Sequence, residues 1–320
     1  MNPKIGVISN AHSRRNKTAL GAFSALLHDH PQVKHLAFHD ISDLAECLRE
    51  MANAGVTHLV VSGGDGTVQA AVSALINGSP FPQPPKLSLL SAGMTNVIAR
   101  DMGDQDMPTV TLKRLIERVE AGNHGEDVQR NVMTLDLGDG GPPIHGFLLG
   151  AIAFYQGTIL GRRKVHGMGF QQSLASKLGI LLSVTRVLRY GPGSKSGFHG
   201  ERVALTLDGQ SNPPQDLFLV VATTLTQILP GIKPFWGDGP GRMRLTTISH
   251  PPRRFARAAL PALRGKPRPW MEEYGYCSRR LERLQCDLSS PVVFDGEFLE
   301  TDGGPGFTLS VGPTMTFTRY

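Results

Sequence analysis

Short β-branched runs alternate with segments of helical period through the first 125 or so residues, and this alternation constrains the fold more than anything else in the chain. Lys4 to Ser9 (KIGVIS) predicts a strand, and Leu20, Phe23 and Leu27 mark one face of the helix that follows. Val33 to Phe38 predicts a second strand. Leu44, Cys47, Leu48 and Met51 then recur at i, i+3, i+4 and i+7, with Ser42 expected as N-cap and Gly55 just past the end. His58 to Ser62 is a third strand, followed by a helix face of Val68, Ala71, Val72 and Leu75 that stops at Asn77-Gly78. Leu87 to Leu90 is a fourth, and Leu112, Leu115, Ile116 and Val119 repeat the helical spacing. Strand and helix in strict alternation mean βαβ units and a parallel sheet, the expected form of residues 1–128.

Beyond residue 128 the period changes to two, as in Val203, Leu205 and Leu207, and in the runs LFLVV, RMRLTTI, PVVF and FTLSV. Turn residues punctuate these runs, so residues 129–320 are expected to form an antiparallel β-sandwich or partly closed barrel. Two helices are expected to interrupt it, roughly Ser173 to Leu188 and Arg253 to Leu263. The expected fold class is therefore α/β plus all-β. With 37 glycines and 23 prolines in 320 residues, a long coiled coil is excluded.

The net charge of +6 points to an anionic partner without choosing among nucleic acid, phosphorylated metabolite and membrane surface. Its distribution is more informative. Residues 1–130 carry 12 basic and 13 acidic side chains, whereas residues 131–320 carry 21 and 14. The three cysteines, Cys47, Cys277 and Cys286, form no C-x-x-C pair, so a disulfide framework and a zinc knuckle are both unexpected and a reducing, cytoplasmic setting fits. The N-terminal apolar stretch is too short for a signal peptide, and the longest apolar tract, Phe147 to Leu160, falls short of the roughly 18 residues of a membrane span. Two tryptophans and few aromatics argue against stacking platforms for single-stranded nucleic acid, and no nucleic-acid partner is expected.

Three segments carry chemistry. Ser62-Gly63-Gly64-Asp65-Gly66-Thr67 sits between a buried strand and a helix, where open α/β sheets bind ligands. Its glycines remove the Cβ atoms that would keep a phosphate from the backbone amides, and the helix start behind it favours anions. Asp65 would oppose an anion by itself, so its presence argues for Mg²⁺ between it and the phosphates. An ordinary glycine-rich turn is the plainer reading. The next strand-to-helix junction, Leu89 to Arg100, holds a second glycine turn with Gly93, Thr95 and Asn96, which either adds a second wall to a phosphate or ribose cradle or simply caps a helix. Near the C-terminus, Asp295-Gly296-Glu297 lies between two apolar runs. It reads either as a two-residue hairpin or as two carboxylates facing a cleft, one of them a base for a hydroxyl nucleophile. A phosphate-binding G-x-x-x-x-G-K-[ST] loop, a protein-kinase H-R-D with D-F-G, G-x-S-x-G and H-E-x-x-H are all missing from the sequence. Finally, residues 251–268 combine Arg253, Arg254, Arg257, Arg264, Lys266 and Arg268 with an apolar side of Phe255, Ala258, Ala259, Ala262 and Leu263. Such a segment lies either on anionic lipid or as a solvated helix face.

GGDGT after a strand, a Gly/Asn turn some thirty residues on, a change to an all-β half and a late D-G-E together resemble the diacylglycerol kinase catalytic-domain family of lipid kinases, whose fold is shared with NAD kinases. The resemblance implies ATP on the GGDGT turn, lined by Gly63, Gly64, Asp65, Gly66, Thr67, Val68 and Gln69, with Gly93, Thr95 and Asn96 from the second turn. It implies Asp65 as the group serving Mg·ATP, Glu297 as proton acceptor with Asp295 beside it, and Asp238 of Asp238-Gly239 as the ligand of a structural Mg²⁺. The family's P-x-G-T-x-N-D reads Ser91-Ala92-Gly93-Met94-Thr95-Asn96-Val97 here. Gln69 stands where Asn is usual, and N-P-x-S-G reads Asn10-Ala11-His12-Ser13-Arg14.

The expectation is a cytoplasmic, peripherally membrane-associated enzyme that phosphorylates the hydroxyl of diacylglycerol or a related lipid with Mg·ATP, bound to anionic membrane through residues 251–268. A homodimer is left open. The alternatives are an NAD kinase and a lipid-binding regulatory protein with weak catalysis on the same scaffold.

Overall fold

The computed structural model describes residues 4–320 apart from 94, 103–105, 124, 166–171, 194 and 302–305, and does not describe the side chains of 18–20, 162–165, 172–179 and 181. The chain divides into two units, Met1–Val132 with Pro313–Tyr320, and Met133–Gly312.

In the first unit, strands β1 (Ile5–Asn10), β2 (Lys34–Phe38), β3 (His58–Gly63) and β4 (Lys86–Ser91) alternate with helices α1 (Asn16–His28), α2 (Leu44–Asn53), α3 (Asp65–Gly78), α4 (Val97–Asp101) and α5 (Pro108–Glu120). The sheet order is β4-β3-β1-β2, all parallel, with Leu59 opposite Gly6 and Leu87. Every residue of β3 is buried, which explains its unbroken apolar run where a one-sided strand would alternate. Leu112, Leu115, Ile116 and Val119 of α5 pack with Phe23 of α1 on Val7 and Val60, so the helical spacing legible in sequence is the packed face.

One local expectation fails. Ser42 does not cap α2: Asp40 accepts the Ser42 amide at 3.0 Å while Asp43 reaches back to the Asp40 amide at 3.3 Å. This reciprocal carboxylate cap starts a short 3₁₀ turn, Ile41–Asp43, ahead of the helix.

Because β1 runs on to β2 on one side while β3 lies on its other side, the connections after β1 and β3 diverge, and the crevice outside their carboxyl ends is a topological switch point.

The chain leaves this unit within β5 (Glu126–Asp136). In the second unit it forms β6 (Ile144–Gly146), β7 (Leu148–Ile152), α6 (Ala153–Val165), α7 (Gln172–Tyr190), β8 (Glu201–Leu207), β9 (Gln210–Ser211), β10 (Gln215–Thr223), β11 (Met243–Ser249), α8 (Phe255–Leu263), β12 (Tyr276–Leu281), β13 (Arg283–Asp287), β14 (Val292–Phe294) and β15 (Glu297–Leu299). It returns within β16 (Phe307–Arg319), whose Phe317 pairs parallel with Leu87 of β4 in the first unit. The second unit is antiparallel: β12-β11-β10-β7-β14-β15 make one sheet, and β10 also hands on to β8, β13 and the first part of β16. Leu149, Ala151, Val220 and Leu245 from the first set pack against Val203, Leu284 and Leu309 from the second, forming a sandwich core. The fold class is α/β with a parallel sheet plus an antiparallel β-rich unit.

Among the described residues three helices interrupt the β-rich unit, where two were expected. The additional one, α6, follows β7 with no intervening loop: Ile152 takes φ 59° and turns the strand straight into the helix, and the Phe154 ring fills the space where Gly150 has no Cβ. Fused in this way, strand and helix read in sequence as one apolar tract. No helix among the described residues is long and apolar enough to cross a membrane.

Candidate active site

At the switch point of the first unit, side chains from three loops hold one another. Asn10, ending β1, donates through Nδ2 to Thr67 Oγ1 at 2.9 Å and accepts the His12 amide on Oδ1 at 2.9 Å. Asn16 donates to the carbonyls of Asn10 (2.9 Å) and Ser62 (3.0 Å) and accepts the Ser62 hydroxyl at 2.8 Å. Arg15 donates to the Ser91 carbonyl at 2.9 Å, tying the first loop to the end of β4. Asn10 and Asn16 were missed as site residues in sequence. Their signal was the Asn10 that stands at the N-P-x-S-G position.

The two glycine turns meet. A Cβ on Gly93 would come within 2.3 Å of the Gly64 Cα, and one on Gly64 within 3.1 Å of the Gly93 Cα, so only hydrogens fit between the two backbones. Gly63 is equally constrained, since its Cβ would strike Thr67 at 2.4 Å. Gly64 is the extended N-cap of α3, and Asp65 opens the helix, with Gly66 in its first turn. Thr67, Val68 and Gln69 are buried in the first turns of α3. In the second turn Asn96 adopts φ 51° and is buried; it accepts the Gly93 amide at 2.8 Å and donates to the Gly93 carbonyl at 3.1 Å. Thr95 is partly exposed beside it. Met94, which stands at the family's threonine, lies outside the described residues.

Asp65 crosses from one turn to the other: its Oδ1 accepts the Ile98 amide at 3.0 Å. Burial pushes this carboxyl up, against the pull of the Ile98, Val97 and Asn96 amides and the Arg100 charge.

In the second unit, Asp295 and Gly296 take φ 49° and 94°, the geometry of a two-residue hairpin between β14 and β15, with Phe294 opposite Glu297. The two carboxylates separate. Asp295 is 4% exposed, and its oxygens accept the Phe147 and Leu148 amides, each at 2.8 Å. Its own amide donates to the Leu148 carbonyl at 2.9 Å. Gly146 permits this, since a Cβ there would lie 2.2 Å from Asp295 Oδ2. Asp295 thus braces the unit through both carboxylate oxygens. Glu297, on the edge strand β15, is exposed. Thr223 donates to the Phe147 carbonyl at 2.6 Å, so one peptide is gripped from both neighbouring strands, a feature with no mark in the sequence.

Asp238 is exposed, and the described residues hold no group of three histidine, cysteine or acidic side chains able to bind a metal. Asp238 alone would leave a structural Mg²⁺ there mostly to water and backbone oxygens. A Mg²⁺ arriving with nucleotide phosphates is a different case. It needs only one or two carboxylates, and a carboxylate offers about four lone-pair sites, of which the Ile98 bond occupies one at Asp65.

Along residues 251–268, Arg253, Arg257, Arg264, Lys266 and Arg268 are exposed, as is Leu260 at 55%, while Ala258 and Ala262 are buried. Arg254 is exposed as well, with its guanidinium 4.3 Å from the Tyr274 ring centroid and 5.6 Å from that of Trp270.

The diacylglycerol kinase catalytic domain family matches residues 4–125, the segment that contains both glycine turns. Among proteins of curated function, none matches the sequence. Among solved structures, a diacylglycerol kinase from Bacillus anthracis str. Sterne superimposes with a TM-score of 0.62 at 16% identity, over 99% of this chain and 97% of that one. An NAD kinase from Archaeoglobus fulgidus in complex with ATP gives 0.50 at 13%, over 98% and 93%. Yeast NADH kinase complexed with NADH gives 0.52 at 13%, over 100% and 84%. At these identities the structural likeness establishes the fold, while the family match is confined to the segment with the glycine turns. The diacylglycerol kinase catalytic domain model thus matches residues 4–125 of a chain whose fold is the one that diacylglycerol kinases and NAD kinases share.

Proposed function

We propose that this kinase-like chain transfers the γ-phosphoryl group of ATP to the hydroxyl of diacylglycerol or a related lipid. The observation that carries the reading is the contact of Gly64 with Gly93 at the sheet's switch point. Two side-chain-free backbones meeting outside the strand ends are suited to a polyphosphate, whose binding there depends on amide donors and the absence of Cβ atoms. Phosphoryl transfer asks chiefly for positioning and charge neutralisation. Mg²⁺, when bound with the nucleotide, would supply part of that neutralisation beside Asp65. Glu297, with its carboxylate exposed and the hairpin behind it locked by Asp295, is the base that takes the proton of the acceptor hydroxyl. The exposed cations of residues 251–268, with Leu260 among them, are proposed to lie on anionic lipid and bring the enzyme to its substrate.

Purified protein given radiolabelled ATP, Mg²⁺ and mixed micelles of diacylglycerol, other hydroxyl lipids or none, with NAD as a separate acceptor, is expected to label a lipid. Label on NAD alone would replace the reading with that of an NAD kinase. Label on neither, with liposome binding intact, would make the chain a lipid-binding regulator.

A further inference from the structure

Helix α4 is five residues long, too short to be held by its own hydrogen bonds, because fixing the first turn costs more than one bond returns. It is held at both ends from outside. At its start, Asp65 takes the Ile98 amide at 3.0 Å, and Asn96, in the left-handed conformation, closes on Gly93 through both side-chain atoms. At its end, the Asp101 carboxylate is 0% exposed and accepts Arg130 Nε at 2.9 Å, the Arg130 side chain being 18% exposed. Arg319 donates to the Asp101 carbonyl at 2.9 Å and also to that of Met102, satisfying carbonyls that a helix end leaves open. Arg130 stands on β5 and Arg319 on β16, far from each other and from the glycine turns in sequence. The left-handed Asn96, and with it the approach of Gly93 to Gly64, therefore depends on two guanidiniums at the opposite end of α4.

We propose that Arg130 and Arg319 are positioning residues for the nucleotide cradle, acting through α4 on Gly93 and Asp65. This rests on reading the cradle as the ATP site. If α4 shifts, Gly93 withdraws from Gly64 and the amides lose their common focus, whereas nothing that holds the Asp295 hairpin is touched.

The test is ATP affinity, measured by calorimetry with Mg·ATP on the full chain, beside thermal unfolding and acceptor KM. Arg130→Met is expected to weaken ATP binding about tenfold with acceptor KM unchanged, and Arg130→Lys to recover part of the loss. Arg319→Gln, which leaves no buried charge behind, should act in the same direction and serves if Arg130→Met fails to fold. Asp65→Asn combined with Arg130→Met should weaken binding by less than the product of the two single effects, since the two residues do not touch and share only α4. Folded variants with lowered melting temperature and unchanged ATP affinity overturn the proposal while leaving the ATP site standing. Wild-type protein that binds no ATP overturns both. ATP binding with the expected variant effects but no labelled lipid supports the positioning role and removes only the acceptor reading.

Discussion

The chain carries an Asp-Gly pair at each of its two candidate sites, and the two aspartates are held differently. Asp65 stands at the start of a helix on a parallel sheet and bonds through Oδ1 to an amide 33 residues away, joining two glycine turns. Asp295 stands at the tip of a hairpin in the antiparallel unit and gives both oxygens to the Phe147 and Leu148 amides, 148 and 147 residues away. A carboxylate with both oxygens on backbone amides at 2.8 Å is structural material. On the proposed reading, the chemistry of the D-G-E segment falls to Glu297, which is exposed. Residue type and spacing did not distinguish these aspartates. The occupied lone pairs do.

The largest effect that can break this comparison is at Glu297. Glu297→Gln is expected to lower kcat by about 100- to 10,000-fold, the usual contribution of a positioned base, while unfolding free energy stays within about 0.5 kcal/mol of wild type. An unchanged kcat removes Glu297 from the reaction. Asp295→Ala should show the opposite profile. Two buried amides lose their acceptor, at about 1–3 kcal/mol each, so urea unfolding should report a loss of about 2–6 kcal/mol, with Asp295→Asn intermediate because one oxygen remains. If Asp295→Ala were as stable as wild type and merely inactive, Asp295 would belong with Glu297 after all.

The parallel-sheet unit was the more legible of the two in the sequence, for a physical reason. Its strands are buried on both faces and its helices on one, so Leu112, Leu115, Ile116 and Val119 announce their packing by spacing alone. Gly64 and Gly93 were legible as glycines, but their mutual contact was not, because it is made between two loops whose meeting depends on strand order. The D-G-E hairpin was legible as a turn. Which of its carboxylates faces inward was not, because that is set by Gly146, a glycine 149 residues upstream. The start of α6 was hidden because Ile152 carries the turn at positive φ, a conformation that isoleucine rarely takes and that no sequence pattern marks.

A smaller effect sharpens the contrast between units through pH. In the first unit His58 is 1% exposed and donates from Nε2 to Ser88 Oγ at 2.9 Å, since that hydroxyl is already donating to the Thr318 carbonyl at 2.8 Å. Its Nδ1 is left to accept the Tyr320 hydroxyl at 3.2 Å, so the ring is neutral. Burial, helped by the Lys86 charge and opposed by Asp127, lowers its pKa from 6.5 to about 4. Between those values the unfolded chain binds the proton and the folded one does not, so this stability is complete above about pH 6.5 and is lost as pH falls toward 4. At pH 5 the loss is about 2 kcal/mol, and His58→Gln should flatten it. Hydrogen exchange resolves where it acts: protection in β3 and β4 should fall with acid before protection in β7 and β14. Simultaneous loss would mean that the two units unfold as one.

The smallest effect lies within one segment of the second unit. Arg254 and Arg257 are both exposed; among the described residues Arg257 makes no ion pair, whereas the Arg254 guanidinium lies over the rings of Tyr274 and Trp270. Each cation near an anionic bilayer contributes about 1 kcal/mol, so Arg257→Ala should weaken sedimentation with phosphatidylserine vesicles several-fold, an effect that fades as salt rises toward 0.5 M or so. Arg254→Ala should instead loosen the contact that holds the α8 entry and lower thermal stability, with a smaller change in the salt-dependent part of binding, because its guanidinium is turned over the rings of Tyr274 and Trp270. ATP affinity should be the same in both. Equal loss of vesicle binding in the two variants would show that total charge, and not the exposed face, recruits the membrane, and would remove the distinction drawn between the two arginines.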